Sequence, residues 1–214
     1  MVLQSEALKS LQPNWRRKAR VVYQSAQPPD ISASPLKRVF EIVVIGHLRP
    51  VKDPFRAAMA ARRLPPSSRI RISHLGAALR SSMKTRAERE MAINPRYRWL
   101  GDRPRWQVWR YLLRSRALVV SSTMEGGANV IAEAVVGGIP VIGSRVSGNV
   151  GMLGADYPGY FALRDTSRLA RLLLQLETDR AFYRRLQTGA RKLQERFSPA
   201  RERTAWQRLI ESLC

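Results

Sequence analysis

Glu125 and Glu133 stand with seven residues between them in the run Ser121-Ser-Thr-Met-Glu-Gly-Gly-Ala-Asn-Val-Ile-Ala-Glu-Ala-Val-Val136, which includes the glycine pair Gly126-Gly127. Val130–Val136 has the apolar composition of a short buried helix, and Ala117–Val120 that of a strand before it. In the turn between them, Met124 to Asn129, Gly126 and Gly127 let a ligand approach the backbone with no Cβ in the way. A helix beginning near Asn129, just after Ala128, aims unpaired N–H groups and its positive dipole end at that turn. An anion is favoured there, and a diphosphate suits the geometry. Glu133 lies one turn into the helix, where a carboxylate needs donors to offset its desolvation. Those donors are either one of the 32 arginines or the two hydroxyls of a ribose. In the second reading Glu125, on the strand side of the turn, faces the other end of the ligand. A nucleoside at one end and a polyol at the other describe a nucleotide sugar.

A second loop, Gly46-His47-Leu48-Arg49-Pro50-Val51-Lys52, follows the apolar run Phe40–Ile45. Lys52 and Arg49 are either two solvated cations among many or the groups that neutralise a diphosphate as it departs. His47 can join them or be structural, and His74 reads as a core or strand-end residue. Trp99, Trp106 and Trp109 read as core, with Trp99 at a strand end where a nucleobase could lie. The sequence shows no nucleophile–base triad, no His/Asp/Glu metal spacing and no GxxxxGK[ST] loop, so neither metal nor cofactor is expected.

These loops need a scaffold that presents strand ends side by side. Strands are expected at 40–45, 70–75, 97–100, 117–120 and 140–142. Helices are expected over 54–61, with Asp53 as N-cap and Pro54 at the first position, and over 77–91, 105–115 and 130–136. Strands alternating with helices through short Gly-containing joints predict an α/β fold, a Rossmann-like parallel sheet with flanking helices. Such a sheet binds ligands beyond the carboxyl ends of its strands, where the singled-out loops fall. From Asp165 the pattern is helical only, with a break expected near Gly189 and Ser198-Pro199 opening a last helix that carries Trp206, Leu209 and Leu213. Before residue 36, Val21-Val-Tyr23 reads as a lead-in strand and the Pro- and Ser-rich stretch 27–35 as a linker. The division is therefore 1–35 lead-in and linker, 36–164 Rossmann-like domain, and 165–214 C-terminal helices.

The chain has 214 residues, with 38 Lys+Arg against 16 Asp+Glu, a net charge of +22. That balance admits a nucleic-acid-binding module, but the arginines are spread from Arg16 to Arg208 rather than clustered, which favours a solvated basic surface. The sole cysteine, Cys214, excludes an internal disulfide framework and fits a reducing, cytoplasmic setting. The first residues lack a basic stretch followed by an apolar one, and no apolar run approaches about 18 residues, so neither a signal peptide nor a membrane span is expected.

Glu125, Glu133, Ala134, Gly138, Pro140-Val141-Ile142 and Ser144 resemble the donor-site signature of the family 4 retaining glycosyltransferases, which pair two Rossmann-like domains in the GT-B architecture. Gly46 to Lys52 is similar to that family's first C-terminal-domain loop. His47 stands where Arg is usual, leaving Arg49 as a substitute, and Gly126-Gly127-Ala128-Asn129 replaces a more usual Gly-Phe-Gly. Longer strings resemble the selenosugar synthases of selenoneine biosynthesis: His47-Leu-Arg-Pro-Val-Lys-Asp-Pro-Phe55, Asn94-Pro-Arg-Tyr-Arg-Trp-Leu-Gly101, Ser147-Gly-Asn-Val-Gly151 and Asp156-Tyr-Pro-Gly-Tyr-Phe161. The resemblance implies a UDP-N-acetylglucosamine donor and a selenophosphate acceptor. Glu133 would hold the ribose, Glu125 the sugar hydroxyls, Asn129 and neighbouring N–H groups the phosphates, and Lys52 with Arg49 the leaving UDP. It covers only the second half of such an enzyme, so residues 1–25 are expected to end a missing N-terminal domain, with the interdomain linker completing 1–35. Without that domain the chain would bind donor but not turn it over.

Overall fold

The computed structural model describes residues 1, 2 and 4–212. The expected Leu213 of the last helix and Cys214 lie outside them. The described residues form a parallel sheet of β1 (Phe40–Ile45), β2 (Ile70–Leu75), β3 (Tyr97–Trp99), β4 (Ala117–Val120), β5 (Val141–Ser144) and β6 (Tyr160–Phe161), in the order β3-β2-β1-β4-β5-β6. Central strands are buried on both faces, which is why Ile42-Val43-Val44, Leu118-Val119 and Val141-Ile142 are continuous apolar runs rather than alternating ones. The α/β, Rossmann-like expectation is met. The order reverses between β1 and β4, and a crevice opens at that reversal beyond the strands' carboxyl ends.

Helices α3 (Arg56–Ala61), α4 (Ser81–Ile93), α5 (Arg105–Arg114) and α6 (Asn129–Val136) connect the strands. After β5 come α7 (Ser147–Leu153), then α8 (Thr166–Thr178), α9 (Arg180–Arg191) and α10 (Pro199–Glu211). Ser198 caps α10 by accepting from the Arg201 N–H, as the Ser-Pro pair predicts. Ahead of the sheet, α1 (Glu6–Lys9) and α2 (Pro13–Lys18) are short, and residues 27–35 are irregular. Neither α1, α2 nor α10 buries a residue, and Trp206 and Ile210 are 39% and 58% exposed. No helix among the described residues is long and apolar enough to cross a membrane.

Several local expectations are corrected. Asp53 does not cap a helix: it is left-handed (φ 44°) at the end of a 3-10 turn, Pro50–Lys52, and its carboxylate pairs with Arg56 at 2.7 Å, so α3 starts at Arg56 instead of Pro54. The helix expected from Ala77 begins at Ser81, because Ala77 gives its carbonyl to the Leu48 N–H and its own N–H to His47. Residues 21–23 form no strand of the sheet, only a bridge from Val21 to Val2. The helix break falls at Asp179, which caps α9 by accepting from Ala181 and Phe182 N–H. Gly189 lies inside α9, packed against the Tyr157 ring. Among the elements not foreseen are α1 and α2 in a stretch with no helix expected, α7, whose glycines hide its helical pattern, and the two-residue β6.

Candidate nucleotide-sugar site

The loops after β1 and β4 flank the topological reversal and are fastened to each other. The Ser121 hydroxyl donates to the carbonyls of Asp53 (2.9 Å) and Lys52 (3.2 Å), while the Thr123 N–H and hydroxyl reach the Val51 carbonyl at 2.8 and 3.1 Å. These bonds bring together predicted site residues from two loops far apart in the chain. Lys52 Nζ lies 2.6 Å from Glu125 Oε1, with side chains 27% and 7% exposed. The Ser122 hydroxyl donates to the same Oε1. Oε2 takes no partner among the described residues.

Helix α6 starts from Ala128, which offers no side-chain cap, and Gly127 beside it has φ +152°, a backbone that favours glycine. The N–H groups of Asn129 and Val130 therefore point out of the helix end, as the sequence predicts for an anion site. Asn129 and Gly126 are exposed, and Ala128 is buried beneath them. Glu133, one turn further on, is 14% exposed, and burial raises its pKa against the opposing charge of Arg105. Arg105 Nη2 approaches Glu133 Oε1 at 3.2 Å from the start of α5, but is itself 75% exposed. An exposed partner of that kind contributes little and leaves without great cost. Glu133 thus has the arginine contact that one reading required, in a form a ligand hydroxyl could displace.

His47 is exposed, and its Nδ1 accepts the Ala77 N–H at 3.0 Å, which leaves Nε2 as the outward donor; Arg49 is exposed beside it. His74 is a buried strut. Its ring bridges the Tyr97 hydroxyl (3.0 Å) and the Gly46 carbonyl (3.1 Å), and desolvation lowers its pKa to about 4. Neutral at Nδ1, it accepts from Tyr97 and donates from Nε2 to Gly46, fixing the turn that aims the Lys52 loop. Trp99 is also a strut, donating its indole N–H to the Gly76 carbonyl at 2.9 Å.

Three participants were not singled out by sequence. Ser122 lies between two other hydroxyl residues in Ser121-Ser-Thr123, and nothing in that run distinguishes it. Arg105 was one arginine among many. Gly148 sits where a Cβ would overlap the Glu125 carbonyl, so α7 can press directly on the Glu125 backbone only because glycine is there. The Ser147-Gly-Asn149 string carried that signal, without a contact to explain it. No group of three His, Cys, Asp or Glu among the described residues stands close enough to hold a metal ion.

A family model described as glycosyl transferases group 1 matches residues 30–193. The chain belongs to that family. No curated protein sequence matches it. Among solved structures it is similar to Anabaena Alr3699/HepE in complex with UDP and glucose, at 20% identity and TM-score 0.70 over 82% of this chain and 48% of that one. It is similar as well to sucrose-phosphate synthase (tll1590) from Thermosynechococcus elongatus, at 21% identity and TM-score 0.78 over 99% and 57%. The lipopolysaccharide outer core galactosyltransferase WaaB matches at 19% identity and TM-score 0.77 over 100% and 61%. At these identities the likeness is one of fold, that of the C-terminal domain of GT-B glycosyltransferases. The group 1 chain spans about half the length of these structures.

Proposed function

We propose that the chain is the donor-binding domain of a UDP-sugar-dependent glycosyltransferase. The observation that carries this reading is the convergence of Lys52 and Glu125, 73 positions apart, on one ion pair at the strand-order reversal beside the open end of α6. Family membership and neighbours crystallised with UDP, glucose and UDP-glucose support it. Glu133 accepts the ribose hydroxyls, displacing Arg105. The N–H groups at Asn129, with Gly126, Gly127 and Ala128 lining the approach, take the diphosphate. Lys52 turns from Glu125 to the departing UDP, assisted by Arg49 and the outward N–H of His47, and Glu125 receives the sugar hydroxyls. Charge on the leaving group is met by these cations and amides, with no role assigned to a metal or cofactor.

The finer reading takes UDP-N-acetylglucosamine as donor and selenophosphate as acceptor, presented by a facing domain in keeping with the greater length of the structural neighbours. Selenium bonds to the anomeric carbon as the bond to UDP breaks, and UDP leaves with the electron pair. Retention places the acceptor on the departing group's face and needs no protein nucleophile. Water then cleaves the P–Se bond, giving phosphate and the selenosugar.

Calorimetric titration of the folded chain tests the donor site. Binding of UDP is expected, and no heat up to about 1 mM UDP would overturn the reading. Mass spectrometry of a reaction of UDP-N-acetylglucosamine with selenophosphate, catalysed by this chain joined to an acceptor-side domain, tests the finer reading. Sugar transfer to other acceptors but never to selenium would sink it.

A further inference from the structure

Glu125 is gripped from behind by buried residues. Ser122, Ser144 and Asn149 are all buried. The Asn149 side-chain amide donates to the Ser144 carbonyl (2.9 Å) and hydroxyl (3.1 Å), the Ser144 hydroxyl donates to the Ser122 carbonyl (2.6 Å), and the Ser122 hydroxyl donates to Glu125 Oε1. Gly148 adds the direct contact of α7 with the Glu125 backbone. A polar chain therefore runs from α7 through the end of β5 to one carboxylate oxygen.

Lys52 shares that oxygen, which looks redundant until the donor arrives. A lysine that turns to a diphosphate leaves Oε1, and a carboxylate so little exposed then loses its only cation. Ser122 stays beside Glu125, because Ser144 holds its backbone carbonyl. The buried hydroxyl keeps Oε1 occupied and the side chain in one rotamer, and Oε2 remains the acceptor for a sugar hydroxyl.

We infer that Ser122, backed by Ser144 and Asn149, is a positioning residue that fixes Glu125 for sugar recognition. The inference rests on the donor-site reading above. It predicts a split a general structural role would not produce, since Glu125 meets the sugar and not the nucleotide. In calorimetry on the full chain, Ser122→Ala keeps UDP affinity within about twofold but loses about tenfold of the advantage UDP-N-acetylglucosamine has over UDP, while Ser122→Thr, which retains the hydroxyl, recovers most of it. Ser144→Ala shows the same split more weakly and serves as the second variant if Ser122→Ala does not fold. Full retention of the sugar's advantage in both alanine variants would overturn the inference. So would equal losses for UDP and UDP-sugar, or an unmodified chain that binds the two alike. Failure of the unmodified chain to bind UDP at all would overturn the donor-site reading itself.

Discussion

Glu133 pays for its place in an apolar helix, since the Arg105 guanidinium that pairs with it stands mostly in water. Its pKa is raised, so the native state holds a proton on this side chain more readily than the unfolded chain does. The ionised carboxylate therefore subtracts from stability above its native pKa, and that penalty disappears as pH falls through it. Glu133→Gln removes the charge and keeps the shape. Its Tm should exceed that of the parent by about 1–3 °C at pH 8, with the difference shrinking on acidification. The same change should weaken UDP binding by about tenfold, because an amide is a poorer acceptor for two ribose hydroxyls. A variant that gained stability and lost no affinity would return Glu133 to a salt-bridge role alone. Lys52 and Glu125 were separately legible as residue types near strand ends. Their mutual pairing was not, because sequence gives each side chain a place in the fold but not the direction it takes without a ligand.

Elements aim these side chains, and two of them carry tests. His74 in β2 is held neutral by burial with its pKa at about 4, against about 6.5 for an unfolded histidine. The unfolded chain takes up the proton first, so stability present above pH 6.5 is lost as pH falls toward 4, by roughly 3 kcal/mol from this residue. Thermal melts between pH 7 and 4.5 should show a steep loss that is shallower in His74→Gln. Gly148 tests α7. Gly148→Ala must push the helix off Glu125, costing about 1–3 kcal/mol and weakening sugar binding; calorimetry with unchanged UDP-sugar affinity would mean that α7 does not position Glu125. The parallel sheet and α5, α6, α8 and α10 were readable because most positions of the buried strands are apolar, Gly46 and Gly76 end β1 and β2, and Ser198-Pro199 opens α10. What escaped was set by tertiary contacts: α7 conceals its period behind glycines needed for close approach, Asp53 gives its carboxylate to Arg56 instead of a helix N-terminus, and Gly189 accommodates a tyrosine ring instead of ending a helix.

At the scale of the whole molecule, the net charge of +22 far exceeds that of the candidate site, where Lys52, Arg105 and exposed Arg49 stand with Glu125 and Glu133. The carboxylates buried within the fold are already engaged: Glu41, fully buried, takes Arg114 at 2.7 Å and Arg71 at 3.1 Å at the opposite end of β1. Most of the 32 arginines are left to act together as a field. A nucleotide diphosphate should feel that field in addition to its contacts at α6, and an uncharged nucleoside should not. Salt separates the two contributions, since the screening length falls from about 10 Å at 0.1 M to about 3 Å at 1 M. Raising NaCl from about 0.05 to about 0.5 M should weaken UDP binding by about tenfold and leave uridine binding nearly unchanged. The same field attracts nucleic acid without regard to the cleft, so Glu133→Gln should lower UDP affinity and leave any salt-sensitive RNA binding intact. If UDP and uridine respond alike to salt, the charge serves no purpose at the donor site. If RNA displaces UDP and is itself weakened by Glu133→Gln, the cleft at the β1–β4 reversal is a nucleic-acid site and not a sugar-nucleotide one.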